Sequence, residues 1–75
     1  MVDKKTLGKI IQGKRKELGK TQSQLAEETD LSRNYISDIE NGRYTPSIDS
    51  LTKIAVSLGL DLNVIKMTEI QVIND

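Results

Sequence analysis

The chain has no cysteine, histidine, phenylalanine or tryptophan. The lack of cysteine excludes a disulfide framework, and the lack of both cysteine and histidine excludes a zinc finger and any Cys- or His-based catalytic constellation. No metal or cofactor is expected. Ser, Lys, Asp and Glu remain, but no nucleophile is paired with a positioned base and no glycine loop is shaped to cradle a phosphate, so the chain does not read as an enzyme. Two tyrosines, Tyr35 and Tyr44, are its only aromatics, too few for the interleaved stacking surface that binds single strands. No apolar run approaches the roughly 20 residues that span a bilayer, and no signal-peptide pattern opens the sequence. The expectation is a cytoplasmic protein with no membrane partner.

What is present is a 75-residue chain, one small domain without repeats or an internal linker. A chain of that size buries a limited fraction of its surface, so a partner subunit would add stability. The net charge is zero, with 11 Lys or Arg against 11 Asp or Glu, whereas nucleic-acid binders are usually basic. The charges are unevenly spread. Residues 1–20 carry seven basic side chains against two acidic ones, a net of +5, and residues 21–42 carry one against five, a net of −4.

Residues 21–42, TQSQLAEETDLSRNYISDIENG, read as two short helices joined by a tight turn. Thr21 suits an N-cap with Gln24 completing a capping box. Asp30 tolerates the left-handed backbone that ends the first helix. Ser32 caps the second, Leu31 can staple onto Ile36, and Asn41-Gly42 favours a left-handed stop. With residues placed about 100° apart, Arg33, Asn34, Ser37, Asp38 and Asn41 share one polar arc of the second helix. Ile36 and Ile39 lie opposite, with Tyr35 at the margin. A solvated helix face is the plain alternative for such an arc. Its pairing with a preceding helix through a short turn is instead the pattern of a helix-turn-helix, whose second helix enters the DNA major groove.

The motifs TQxxLA, LSxxYIS, IExG, PS and LxxIAxxLG occur in this order between Thr21 and Gly59. With this set the chain closely resembles the phage repressor and Cro family of helix-turn-helix regulators, from Leu7 to about Leu60. Asp30 departs from the pattern, standing where the family usually has glycine. The resemblance implies an all-α, lambda-repressor-like fold of four to five helices. Residues 1–60 would form the DNA-binding domain, with the helix-turn-helix at residues 22–41. It further implies a sequence-specific regulator of transcription, a repressor acting as a homodimer on double-stranded DNA. Arg33, Asn34, Ser37 and Asp38 would face base edges. Arg33 suits guanine and Asn34 suits adenine, while Asp38 would accept from cytosine N4 or orient Arg33. Gln22, Tyr35, Asn41, Arg43 and Tyr44 would hold phosphates, fixing register.

Upstream, residues 1–5 read as a frayed basic end. Thr6 is placed to cap a first helix running to Leu18, with Leu7, Ile11 and Leu18 inward and Gly19 as its stop. Gly8 and Gly13 weaken that helix by up to roughly 1 kcal/mol each. Ile10 falls off the inward line, as core margin or contact surface. In the family, the positions of Arg15 and Glu40 commonly form an ion pair locking the first helix to the recognition helix. Two independent solvated charges are the alternative. Downstream, Pro46 disfavours helix at Thr45, Ser47 caps the fourth helix, and Ile48, Leu51, Ile54, Ala55 and Leu58 form its inward stripe up to Gly59.

Residues 61–75 divide the readings. Asp61 can cap a fifth helix, as in the phage repressors. Against that, Leu60, Leu62 and Val64 alternate with polar residues, and Ile65, Thr68, Ile70, Val72 and Ile73 are β-branched, which favours a C-terminal β-strand or hairpin. A lone strand needs a partner for its backbone groups, from a hairpin bending near Thr68-Glu69 or from a second subunit. Leu60, Leu62, Val64, Ile65, Ile70 and Val72 are therefore the expected dimerisation residues. SLGLDLNVI is also similar to the helix-to-strand passage of antitoxin repressors. This leaves a second reading, an antitoxin that neutralises a toxin and autoregulates its promoter. A toxin or an antirepressor would be the protein partner.

Overall fold

The computed structural model describes residues 3–61, which form four helices: α1 (Lys4–Glu17), α2 (Gln22–Thr29), α3 (Arg33–Glu40) and α4 (Ile48–Leu58). All four are opened by a side-chain cap. Asp3 accepts from the Thr6 N–H at 2.8 Å, Ser32 from Tyr35 and Ser47 from Ser50. At α2 the Thr21 hydroxyl accepts from Gln24 N–H and the Gln24 side chain accepts from Thr21 N–H, a complete capping box. These bonds satisfy backbone donors that a helix start leaves without intrahelical partners.

The first helix begins earlier than the sequence suggests. Asp3, not Thr6, is its cap, so Lys4 and Lys5 belong to α1 instead of a frayed end. Asp followed three residues later by a free N–H competes well with Thr for this role, and the bond holds the Asp3 carboxyl below its ordinary value. The helix closes at Glu17, and Leu18 is its half-exposed C-cap, not a core residue. Ile48 is likewise corrected: it is 60% exposed, because the first residue of α4 lies before the helix reaches the core. Ile10 is also exposed.

The core is drawn from every helix: Leu7 and Ile11, Leu25, Ile36 and Ile39, and Leu51, Ile54 and Leu58. Each such side chain contributes about 1.5–3 kcal/mol on burial, and Leu31, Tyr35 and Leu60 pack on the margin. Leu60 is brought back by its N–H, which donates to Ala55 carbonyl at 2.9 Å after the α4 stop at Gly59. A side chain proposed for a subunit contact is thus partly taken up by its own core. Leu62, Val64, Ile65, Ile70 and Val72, with the alternative of a fifth helix or a strand, lie outside the described residues. The described part is all-α.

Gly8 is where α1 crosses α3. A Cβ there would lie 2.7 Å from the Glu40 carbonyl oxygen and would also collide with that of Ile39. The residue that weakens α1 in isolation is the one that lets the two helices touch. Lys20 ties α2 to α4: its ammonium donates to Glu28 at 2.7 Å and to the Ser57 carbonyl at 2.9 Å, and the Ser57 hydroxyl donates to Glu28.

Candidate nucleic-acid interface

The turn between α2 and α3 depends on Asp30, whose φ of 59° is the one positive value among described non-glycine residues. The left-handed residue lets the Leu31 N–H return to the Ala26 carbonyl at 3.0 Å, and the chain reverses into α3. Aspartate tolerates this conformation better than most side chains, so the missing family glycine leaves the motif's geometry intact.

α3 has one buried side and one outward side. Ile36, Ile39 and Glu40 are buried, Arg33, Asn34 and Asn41 are exposed, and Ser37 and Asp38 are half-buried. Arg33 and Asn34 have no side-chain partner among the described residues, so their donors and acceptors are uncommitted. Asn41 is partly engaged: its amide donates to the Ser37 carbonyl at 2.9 Å.

Beneath this surface Glu40, its side chain wholly buried, accepts from Arg15 Nε at 2.7 Å and from Arg15 Nη2 at 3.0 Å. Arg15 also donates to the Lys20 carbonyl at 2.8 Å. The Glu40 hydrogen bonds raise the Arg15 pKa further above its already high ordinary value. Gln22 completes the cluster by donating to Glu40 at 3.1 Å. One carboxylate therefore orients α1, the start of α2 and the end of α3. Gln22 keeps a second amide hydrogen, so its amide is positioned by Glu40 without being used up.

The corner after α3 gathers Asp38, Arg43, Tyr35 and Tyr44. Gly42, at φ +74°, allows the Arg43 N–H to reach the Asp38 carbonyl at 2.9 Å and the Gly42 N–H to reach Ile39. Arg43 Nη1 donates to Asp38 Oδ1 at 2.8 Å, and the Tyr35 and Tyr44 rings lie 6.5 Å apart. Asp38 thus holds Arg43 and does not orient Arg33, one of the two roles that the family resemblance implies for it. The signal was there: this helix ending brings residues i and i+5 together, and 38 and 43 are so spaced around Gly42. The Gln22–Glu40 bond had no such local signal.

An amphipathic second helix, held at a fixed angle by a left-handed turn and presenting uncommitted Arg and Asn side chains, defines a helix-turn-helix domain. Residues 11–65 match the helix-turn-helix family, and the chain belongs to it, as a DNA-binding regulator of the phage-repressor type. It is similar to the ImmF control region 10 kDa protein of Bacillus phage phi105, 53% identical over 75 residues, covering 100% of this chain and 83% of that one. It is also similar to the immunity repressor protein of the same phage, 47% identical over 60 residues. That alignment covers 80% of this chain and 42% of the repressor, so the chain spans less than half of its length. Among solved structures, the clp gene regulator ClgR from Corynebacterium glutamicum superposes with a TM-score of 0.78 at 28% identity, over 85% of this chain and 68% of that one. Among the described residues, no helix is long and apolar enough to cross a membrane.

Proposed function

We propose that the chain is a transcriptional repressor that binds a (pseudo)palindromic operator as a homodimer, with α3 lying in the major groove of each half-site. The observation that carries this reading is the outward side of α3. Arg33 and Asn34 are exposed there and have no partner among the described residues, on a helix whose other side is locked into the core. An arginine in that position suits the O6 and N7 acceptors of guanine, and an asparagine suits adenine. Ser37 offers a hydroxyl to either kind of base, and Asp38 keeps one carboxylate oxygen for cytosine N4 while the other holds Arg43. Gln22, Tyr35, Asn41, Arg43 and Tyr44 take the phosphates, which fixes register without reading sequence. The immunity repressor among the relatives supports the direction of control.

The test is selection of bound sequences from a random duplex pool with the full chain and with Arg33→Ala. The wild-type chain is expected to select two related half-sites. Arg33→Ala should lose about 1–3 kcal/mol on the best site and relax preference at one position per half-site, while Arg43→Ala should weaken all sequences about equally. A selected motif that Arg33→Ala left unchanged would show that the helix does not read DNA through this side.

A further inference from the structure

We infer that the first turn of α1 is a second phosphate-binding site, in which Lys4 and Lys5 join Arg43 to grip the DNA backbone beside the groove that α3 enters. The inference rests on the DNA-binding reading above and extends it to a helix outside the helix-turn-helix.

Its starting point is charge. Residues 21–42 are acidic by four, so the motif by itself brings little attraction for a polyanion that carries one charge per about 1.7 Å of duplex axis. Within the fold Arg15, Lys20 and Arg43 pair with Glu40, Glu28 and Asp38 and offset much of that charge, so the cations left to meet phosphate must be other ones close to the reading helix. Lys4 stands 39 positions from Arg43 in sequence, and only the packing of the helices brings the two together. In the fold α1 begins directly against the corner that follows α3. Lys4 Nζ lies 3.4 Å from the Arg43 carbonyl oxygen. Lys5 runs across Gly42, where an added Cβ would lie 2.7 Å from Lys5 Cγ and 3.0 Å from its Cα. The glycine that ends α3 is therefore also what admits the start of α1.

The acids around this corner are already engaged. Asp3 accepts from the Thr6 N–H and Asp38 from Arg43. Lys4 and Lys5 are exposed, and neither forms an ion pair among the described residues. Lys4, Lys5 and Arg43 thus stand as three cations against the carboxylates of Asp3 and Asp38, which leaves a net positive corner, contributed by two elements, at the end of α3. Flexible lysine stems suit phosphate, which needs charge within reach more than a fixed geometry. The contact would add affinity and set how deeply α3 sits, and would read no base.

The experiment measures binding of the full chain to its selected operator and to an unrelated duplex across a salt series. Lys4→Gln and Lys5→Gln remove charge while keeping a polar side chain, and each is expected to lower the slope of log affinity against log salt by about 0.9. The selected sequence should not change. Lys4→Arg and Lys5→Arg should keep the slope. Lys53→Gln on α4, where Lys53 faces Asp49 at 3.5 Å, makes the same charge change away from the patch and should leave the slope unaltered. Thermal unfolding of each variant separates lost contact from lost fold. An unchanged slope in the folded Gln variants overturns the inference, and so does an equal fall for Lys53→Gln, which would mark a bulk charge effect. A wild-type chain that bound no duplex would overturn the proposed function itself. A chain that selected sequence normally while the Gln variants kept their slope would overturn this inference alone.

Discussion

Asp38 and Arg43 are joined twice, by the guanidinium on the carboxylate at 2.8 Å and by the Arg43 N–H on the Asp38 carbonyl at 2.9 Å. The pair is solvent-facing, with the arginine side chain 64% exposed. Arg15 and Glu40 have a similar length and the opposite surroundings, at 9% and 0% side-chain exposure. Removing one partner should therefore have very different consequences. Asp38→Ala is expected to change stability by about 0–1 kcal/mol, because water replaces the lost partner. Arg15→Ala leaves a buried carboxylate uncompensated and should cost about 3–5 kcal/mol. Urea unfolding compares the two, and a double-mutant cycle on Arg15 and Glu40 should give a coupling above about 0.5 kcal/mol. Equal losses at the two sites would contradict the burial argument.

Two glycines of α1 should respond to alanine with opposite signs. Gly13 has nothing within 4 Å of an added Cβ, so Gly13→Ala should raise stability by roughly 0.5–1 kcal/mol through better helix propensity. Gly8→Ala gains the same propensity but drives a methyl into the backbone oxygens at the end of α3. Backbone cannot move aside as a side chain can, and this variant should be destabilised by more than it gains. Thermal midpoints measured side by side decide the signs.

The Lys20–Glu28–Ser57 link should appear as a pH dependence. The hydrogen bond from Lys20, followed by that from Ser57, holds the Glu28 carboxyl below its ordinary 4.5. A folded-state value depressed in this way contributes stability that is fully present above pH 4.5 and is lost as pH falls through the lowered value. Glu28→Gln should accordingly be less stable than wild type at neutral pH, with the gap narrowing on acidification below the ordinary value. Denaturant midpoints between neutral and strongly acidic pH test this. A gap that widened toward low pH would mean Glu28 is not stabilised as its anion.

Operator binding by two recognition helices requires a spacing of about 34–36 Å or a multiple of it, and so depends on how two chains associate. Residues 60–73 carry eight large apolar side chains among fourteen. Deleting residues 61–75 is expected to leave a helical but weakened protein that sediments as a monomer. It should lose affinity for a paired operator far more than for a single half-site. A truncated chain that still sedimented as a dimer would move the association surface elsewhere, with the exposed Ile48 and Val56 of α4 the first residues to examine.

What could be learned from the sequence alone was what is decided within a turn or two of chain. The caps at Thr21, Ser32 and Ser47, the left-handed Asp30 and the apolar spacing of α3 and α4 all depend on neighbours a few residues away, so local chemistry settles them. The first helix shows the limit of that reasoning. The sequence pointed to Thr6 as its cap where Asp3 takes the role, and periodicity assigned Leu18 and Ile48 to a core that their helices, at those ends, do not reach. Packing alone decided the remainder. The value of Gly8, the hold of Glu40 on Gln22, and the approach of Lys4 and Lys5 to Arg43 each join elements distant in sequence. Such contacts depend on the angle and distance at which helices cross, which the periodic pattern of one helix does not contain.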